Sequence, residues 1–154
     1  MTGLSALYQS VVLEHNRAPR NQRAVTPHSH AADARNPLCG DWVHLELSVD
    51  DADRITDVGF DGEGCAICRA SASIMTETLT GRRLETAQAI SERFQRLVTD
   101  TEAAPEPESE ADPSLAALWT LTGVRDYPMR VRCATLAWQA LDSAIGRPRQ
   151  EDTE

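Results

Sequence analysis

WVHLELSVDDADRITDVGFDGEGC, residues 42–65, decides the fold. In its first eight residues Val43, Leu45, Leu47 and Val49 alternate with Trp42, His44, Glu46 and Ser48, the period-two pattern of a strand with one buried face. Asp50-Asp51-Ala52-Asp53 reads as a turn. Arg54 to Phe60 reads as a second strand with Thr56, Val58 and Phe60 on one face, so the two are expected to pair as an antiparallel hairpin. Gly62 and Gly64 then permit a sharp turn, which places Cys65 at the start of a helix.

Upstream of the hairpin, Thr26–Ala34 carries a weaker strand pattern. Before it, Leu4, Leu7, Tyr8, Val11, Val12 and His15 share one face of an opening helix that stops before Pro19. Downstream, helices are expected over Ala66–Thr80, ended by Gly81, and over Leu84–Val98. Cys133, Leu136, Ala137, Ala140, Leu141 and Ala144 then mark a last helix, beginning after Pro128 and ending at Gly146. Strands gathered in the first half and helices in the second predict an α+β fold, with a small antiparallel three-stranded sheet packed against several helices. One domain over 1–146 is expected, with an acidic, proline-containing loop or linker at about 100–114 and a frayed tail over 147–154.

The chain carries 15 basic and 24 acidic residues, a formal net charge of -9, which argues against nucleic acid as its partner. All the basic residues are arginine, so Schiff-base lysine chemistry and a P-loop lysine are excluded. No apolar run is long enough to span a bilayer, and the first residues lack a signal-peptide pattern, so a cytoplasmic location with no membrane partner is expected.

In that compartment the four cysteines, at 39, 65, 68 and 133, point to metal binding or thiol chemistry rather than to structural disulfides. Cys39 and Asp41 flank Gly40 before a strand, Cys65 follows a glycine turn, and Cys133 opens a late helix. Three thiolates and a carboxylate would satisfy tetrahedral zinc. The spacing lacks the paired CxxC pattern of a zinc ribbon, however, and each cysteine also reads as a small buried hydrophobe, Cys133 most readily.

Four segments go further. LYQSVVLEHNRAPRN (7–21), NPLCGD (36–41), FDGEGCAICRASASIMTETLTG (60–81) and GVRDYPMRVRCATLAWQAL (123–141) resemble, in order and spacing, the SufU branch of the IscU/SufU family of iron–sulfur assembly proteins. The resemblance spans about residues 7 to 141. It implies metal ligands at Cys39, Asp41, Cys65 and Cys133, with zinc as the cofactor. It also implies that Cys39 accepts persulfide sulfur from a SufS-type, pyridoxal-phosphate-dependent cysteine desulfurase, stimulating it, before the sulfur passes to the downstream iron–sulfur machinery.

Scaffold-type members of that family carry a histidine before the third cysteine and a Leu-Pro-Pro-Val-Lys motif just upstream. Here Arg132 and Asp126-Tyr127-Pro128-Met129-Arg130 stand instead, and the interval from Cys65 to Cys133 is longer. These departures favour zinc-dependent sulfur transfer over the alternative, a scaffold holding a transient iron–sulfur cluster. Arg130 matches a family arginine that could balance the charge of the site. Cys68 has no counterpart and is expected to pack in the core, with ligation or sulfur relay as its other readings. His15, at the end of the first helical stripe, is expected to be a satisfied core residue.

Overall fold

The computed structural model describes residues 2–37, 40–99 and 110–146. In chain order it runs α1 (Thr2–Arg17), β1 (His30–Arg35), β2 (Trp42–Val49), β3 (Ile55–Glu63), α2 (Ala66–Leu79), α3 (Leu84–Thr99), α4 (Pro113–Leu121), a 3₁₀ turn (Thr122–Asp126) and α5 (Pro128–Ile145). The strands form one antiparallel sheet in the order β1-β2-β3, so the fold is α+β as expected.

Along β2 the alternation holds residue by residue: Val43, Leu45, Leu47 and Val49 are buried. Against that buried face lie α5, which packs across β1 and β2, and α2, which packs across β3. In β3 the sequence pattern gives way. The pairing shifts register between Ser48 and Val49, so that Val49 faces Ile55 while Ser48 faces Asp57. The extra residue is Thr56, which is exposed and donates its hydroxyl to the Ser48 carbonyl, while Ile55 takes the core position. One additional residue in one strand reverses the facing of what precedes it, which a strict period of two cannot anticipate.

The first strand begins at His30 rather than at Thr26. Ser29 already bonds the β2 backbone, its N–H donating to the Leu47 carbonyl at 2.9 Å, but before it the chain is held by β2 side chains: the Val25 N–H donates to Glu46 at 2.8 Å, and Ser48 donates to the Pro27 carbonyl at 2.6 Å. Pro27 itself has no N–H to offer a neighbouring strand.

At the centre of the molecule α2 packs against the sheet, α1, α4 and α5 at once. The run Ala70-Ser71-Ala72-Ser73 supplies the small side chains that let four neighbours approach one helix, and all four residues are buried. Trp138 of α5 closes this layer, donating its indole N–H to Ser71 at 3.1 Å and packing on Phe94 of α3.

The sequence pattern shows no helix over 113–121, yet α4 begins there with Pro113 in its first turn. Asp112 caps it by accepting the Ser114 N–H at 2.9 Å, and also pairs with Arg82. Glu110 accepts the Trp119 indole N–H at 3.0 Å, so the described end of the acidic stretch is tied to the fold. Its residues 100–109, like the tail at 147–154, lie outside the described residues. Among the described residues no helix is long and apolar enough to cross a membrane.

Candidate metal centre

Three of the four expected ligands converge from three separate elements. Asp41 ends the connection between β1 and β2, Cys65 immediately precedes α2, and Cys133 lies in the second turn of α5. One ligand atom from each lies within 4.8 Å of the other two. Cys39, expected both as a ligand and as the sulfur acceptor, lies outside the described residues.

Local backbone chemistry fixes Asp41. The Asn36 N–H donates to the Asp41 carbonyl at 2.8 Å and the Gly40 N–H donates to the Asn36 carbonyl at 2.9 Å, closing the connection at its base. Gly40 sits at φ +77°, a left-handed conformation that strains any residue with a Cβ. Opposite, the carboxylate of Asp41 lies over Gly64: a Cβ added there would sit 2.8 Å from Asp41 Cγ. The second glycine of GEGC therefore does more than turn the chain into α2. It vacates the space that the carboxylate occupies, a role the sequence signals only by the glycine itself.

Asp41 and Cys133 are each 6% exposed, and Cys65 is half-buried. Cys133 Sγ donates to Asp41 Oδ2 at 3.4 Å. Bonds of about 2.3 Å to sulfur and about 2.0 Å to oxygen, at a tetrahedral angle, set a ligand–ligand separation of roughly 3.5 Å. The pair already stands at that separation, and two sulfurs with one carboxylate oxygen form a donor set that zinc accepts.

Electrostatics points the same way. Burial, first, and then the neighbouring Cys65 and Asp41 push the Cys133 thiol upward, because each added negative charge in this enclosed space repels the next. A bound divalent cation inverts that order, since a coordinating thiol gives up its proton.

The remaining candidates separate from this cluster. Cys68 is 2% exposed within the hydrophobic core and does not join the group of possible ligands, as its packing role predicts. No histidine joins Asp41, Cys65 and Cys133 among the described residues. His44 is held on the outer face of the sheet between Asp33 at 2.6 Å and Glu46 at 2.9 Å. Arg130 is exposed and, with Tyr8, Val12, Leu13, Ala66 and Tyr127, lines a cavity of about 410 Å³ next to Cys65. Burial raises the phenol of Tyr8 and the charge of Arg130 opposes the rise, which puts that guanidinium within electrostatic reach of the cavity.

The expected core histidine is confirmed. His15 Nδ1 meets Ser73 Oγ at 2.7 Å, and the same hydroxyl oxygen accepts the Arg20 N–H at 2.8 Å. The ring and the Ser73 hydroxyl share this hydrogen bond inside the core. Burial, followed by the Arg20 charge, lowers the pKa of the imidazole to about 4.

A family model described as the NifU-like N terminal domain matches residues 7–134. Over 144 residues, spanning 94% of this chain and 92% of the relative, the chain is 38% identical to the zinc-dependent sulfurtransferase SufU of Bacillus subtilis (strain 168). Over 147 residues, spanning 96% and 87%, it is 35% identical to the iron–sulfur cluster assembly scaffold protein IscU of Streptococcus pyogenes serotype M1. Among solved structures it resembles a putative iron–sulfur cluster assembly scaffold protein for the SUF system from Fervidobacterium islandicum AW-1. That likeness has a TM-score of 0.76 and 27% identity, covering 91% of this chain and 97% of the other.

Proposed function

The chain belongs to the family of NifU-like N terminal domains, which takes in its SufU and IscU relatives, and from that membership we propose that it works in iron–sulfur cluster assembly as a zinc-binding sulfur-transfer protein. It accepts persulfide sulfur from a SufS-type cysteine desulfurase and stimulates that enzyme. The observation that carries this reading is the convergence of Asp41, Cys65 and Cys133 within 4.8 Å, in a donor set suited to zinc.

Asp41, Cys65 and Cys133 would hold the metal, and Cys39 completes the set by its family position. When bound, zinc supplies positive charge that keeps the thiols deprotonated and the buried carboxylate neutralised. The chain's own residues do the rest. Gly40 and Gly64 fix the carboxylate of Asp41, while the start of α5 presents Cys133 from the opposite side.

The thiolate of Cys39 attacks the outer sulfur of the desulfurase persulfide. The bond between that sulfur and the enzyme's cysteine breaks, the enzyme thiolate leaves with the electron pair, and Cys39 carries the new persulfide. Because one persulfide is exchanged for another, no external oxidant is consumed.

A scaffold role draws support from the Streptococcus relative, which is named as a scaffold. Arg132 stands where scaffold members carry a histidine, so the side chain next to Cys133 here is a permanent cation rather than a ligand. Desulfurase turnover of cysteine, measured with and without this chain, tests the proposal. Stimulation by the native protein and none by Cys39→Ser is the expected result. No stimulation by the native protein, together with a brown cluster in place of about one zinc per chain after anaerobic purification, would overturn it in favour of the scaffold.

A further inference from the structure

A separate cavity, of about 290 Å³, lies between the end of β1 and α5. It is lined by Arg35, Asn36 and Pro37 at the end of β1 and by Arg132, Leu136 and Gln139 of α5. The three α5 residues are spaced four and then three apart, so they form one stripe along the helix. This cavity shares its backbone with the candidate centre. Arg132 precedes Cys133, the Asn36 N–H is bonded to the Asp41 carbonyl, and Arg35 pairs across the strands with Trp42, the neighbour of Asp41.

Its two arginines differ from those that are ion-paired elsewhere on the surface, and Arg96 and Arg130 likewise form no ion pair among the described residues. Arg17, Arg20, Arg23, Arg82 and Arg83 all form ion pairs with carboxylates. Arg35 and Arg132 are both exposed, and neither guanidinium has a hydrogen-bond or ion-pair partner among the described residues. In a chain with 24 acidic and 15 basic residues, partners of opposite sign are in surplus, yet two arginines lining one cavity take none. Such a pair holds a local positive potential inside a negative molecule and attracts a small anion from solution.

The lining narrows the class of that anion. A guanidinium presents a planar fork that matches a carboxylate with two parallel hydrogen bonds. Pro37 and Leu136 add apolar wall, and Gln139 adds an amide. The volume lies near the lower bound of the roughly 300–1,000 Å³ typical of small-molecule sites, which suits a ligand of amino-acid to short-peptide size.

We propose that this cavity binds a low-molecular-weight thiol carrying a carboxylate, and that such a thiol takes sulfur from the carrier. The proposal rests on the sulfur-transfer reading above. With its carboxylate on Arg35 and Arg132, the acceptor's thiolate attacks the outer sulfur of the protein persulfide. The sulfur–sulfur bond within that persulfide breaks, the protein thiolate leaves with the electron pair, and the acceptor departs as a persulfide, its thiol proton having gone to water. One sulfur–sulfur bond is broken and one is made, so no oxidant or reductant is required.

The test compares N-acetylcysteine with N-acetylcysteamine, which share the thiol and the acetamide and differ by the carboxylate. The chain is loaded with persulfide by desulfurase and cysteine, separated, and discharged with each thiol. In parallel, N-acetyl-S-methylcysteine, which cannot react, is titrated and followed by amide chemical shifts. The native protein is expected to discharge to N-acetylcysteine roughly tenfold faster, a factor set by charge-assisted pairing. It is also expected to show shifts at Arg35 and Arg132, with both effects lost in the Arg35→Gln/Arg132→Gln double variant. Both residues are exposed, so this variant is expected to fold.

Equal discharge to the two thiols, or a preference that survives the double substitution, would overturn the proposal. If no persulfide forms on the chain, the sulfur-transfer reading fails instead, and the shifts with N-acetyl-S-methylcysteine still decide whether the cavity binds a carboxylate.

Discussion

Two buried polar clusters flank α2, and they are built on opposite principles. At the seam with α1, His15, Ser73, the Arg20 backbone, Asn21 and Thr76 are joined by hydrogen bonds of 2.7–3.2 Å, and the histidine stays neutral. At the N-terminus of α2, Asp41, Cys65 and Cys133 crowd three groups that become anions on losing a proton, with Cys133 in contact with Asp41 at 3.4 Å. The first cluster satisfies itself and thereby locks two helices together. The second raises the cost of its own ionisation, a cost that a bound cation would relieve. A buried polar group that finds its partners inside the chain is architecture, whereas a set of like-charged groups held close is a site.

Removing a member of each cluster should therefore have different consequences. The largest effect is expected for Cys65→Ser, which exchanges a soft thiolate for a weak hydroxyl donor. Zinc affinity should fall by more than the roughly 10–100-fold that loss of a supporting contact costs. Competition with a chromogenic chelator measures this, and an unchanged affinity would remove Cys65 from the ligand set.

At the other cluster the sensitive variable is pH. The folded pKa of His15, about 4, lies below the 6.5 of an exposed imidazole, so between those values the unfolded chain binds a proton that the native chain does not. Its contribution to stability is present above pH 6.5 and is lost as pH falls toward 4, by roughly 3 kcal/mol over the window. Urea midpoints of the native protein and of His15→Gln, taken across that range, should diverge. Parallel curves would show that the histidine is not buried neutral.

A smaller change is expected from Gly64→Ala. The new methyl would meet the Asp41 carboxylate at 2.8 Å and displace it, weakening zinc by about tenfold while leaving the helix intact. The smallest effect on the centre belongs to Cys68→Ser. Zinc content and sulfur transfer should match the native protein, with only a loss of about 1–3 kcal/mol in stability from burying a hydroxyl in the apolar core. Loss of zinc together with transfer activity would make Cys68 part of the site.

Much of this was legible in the chain itself. The alternation over 42–49 is observed as a half-buried strand, and the helices expected over 66–80 and 84–98 end within a residue of their observed limits. The class of the fold followed from the order of these elements. Less legible was any feature set by one residue against the local rule. The bulge that puts Ile55 in the core and Thr56 outside breaks the period of two. Helix α4, short and preceded by an acidic stretch, owes its place to the Asp112 cap and to the burial of Leu118, Trp119 and Leu121 rather than to a pattern of its own.

The same division holds at the candidate centre. The sequence by itself determined which side chains are available: thiols at 39, 65, 68 and 133, a carboxylate at 41, arginines and no lysine, and glycines at 40, 62 and 64. Only the tertiary structure decided that Asp41, Cys65 and Cys133 meet while Cys68, three residues from Cys65, turns into the core, and that Arg35 comes to stand across a cavity from Arg132. The physical reason is distance along the chain. Spacing constrains neighbours within one helix or one hairpin, whereas groups 24 and 68 positions apart are brought together only by the packing of α2 and α5 on one sheet.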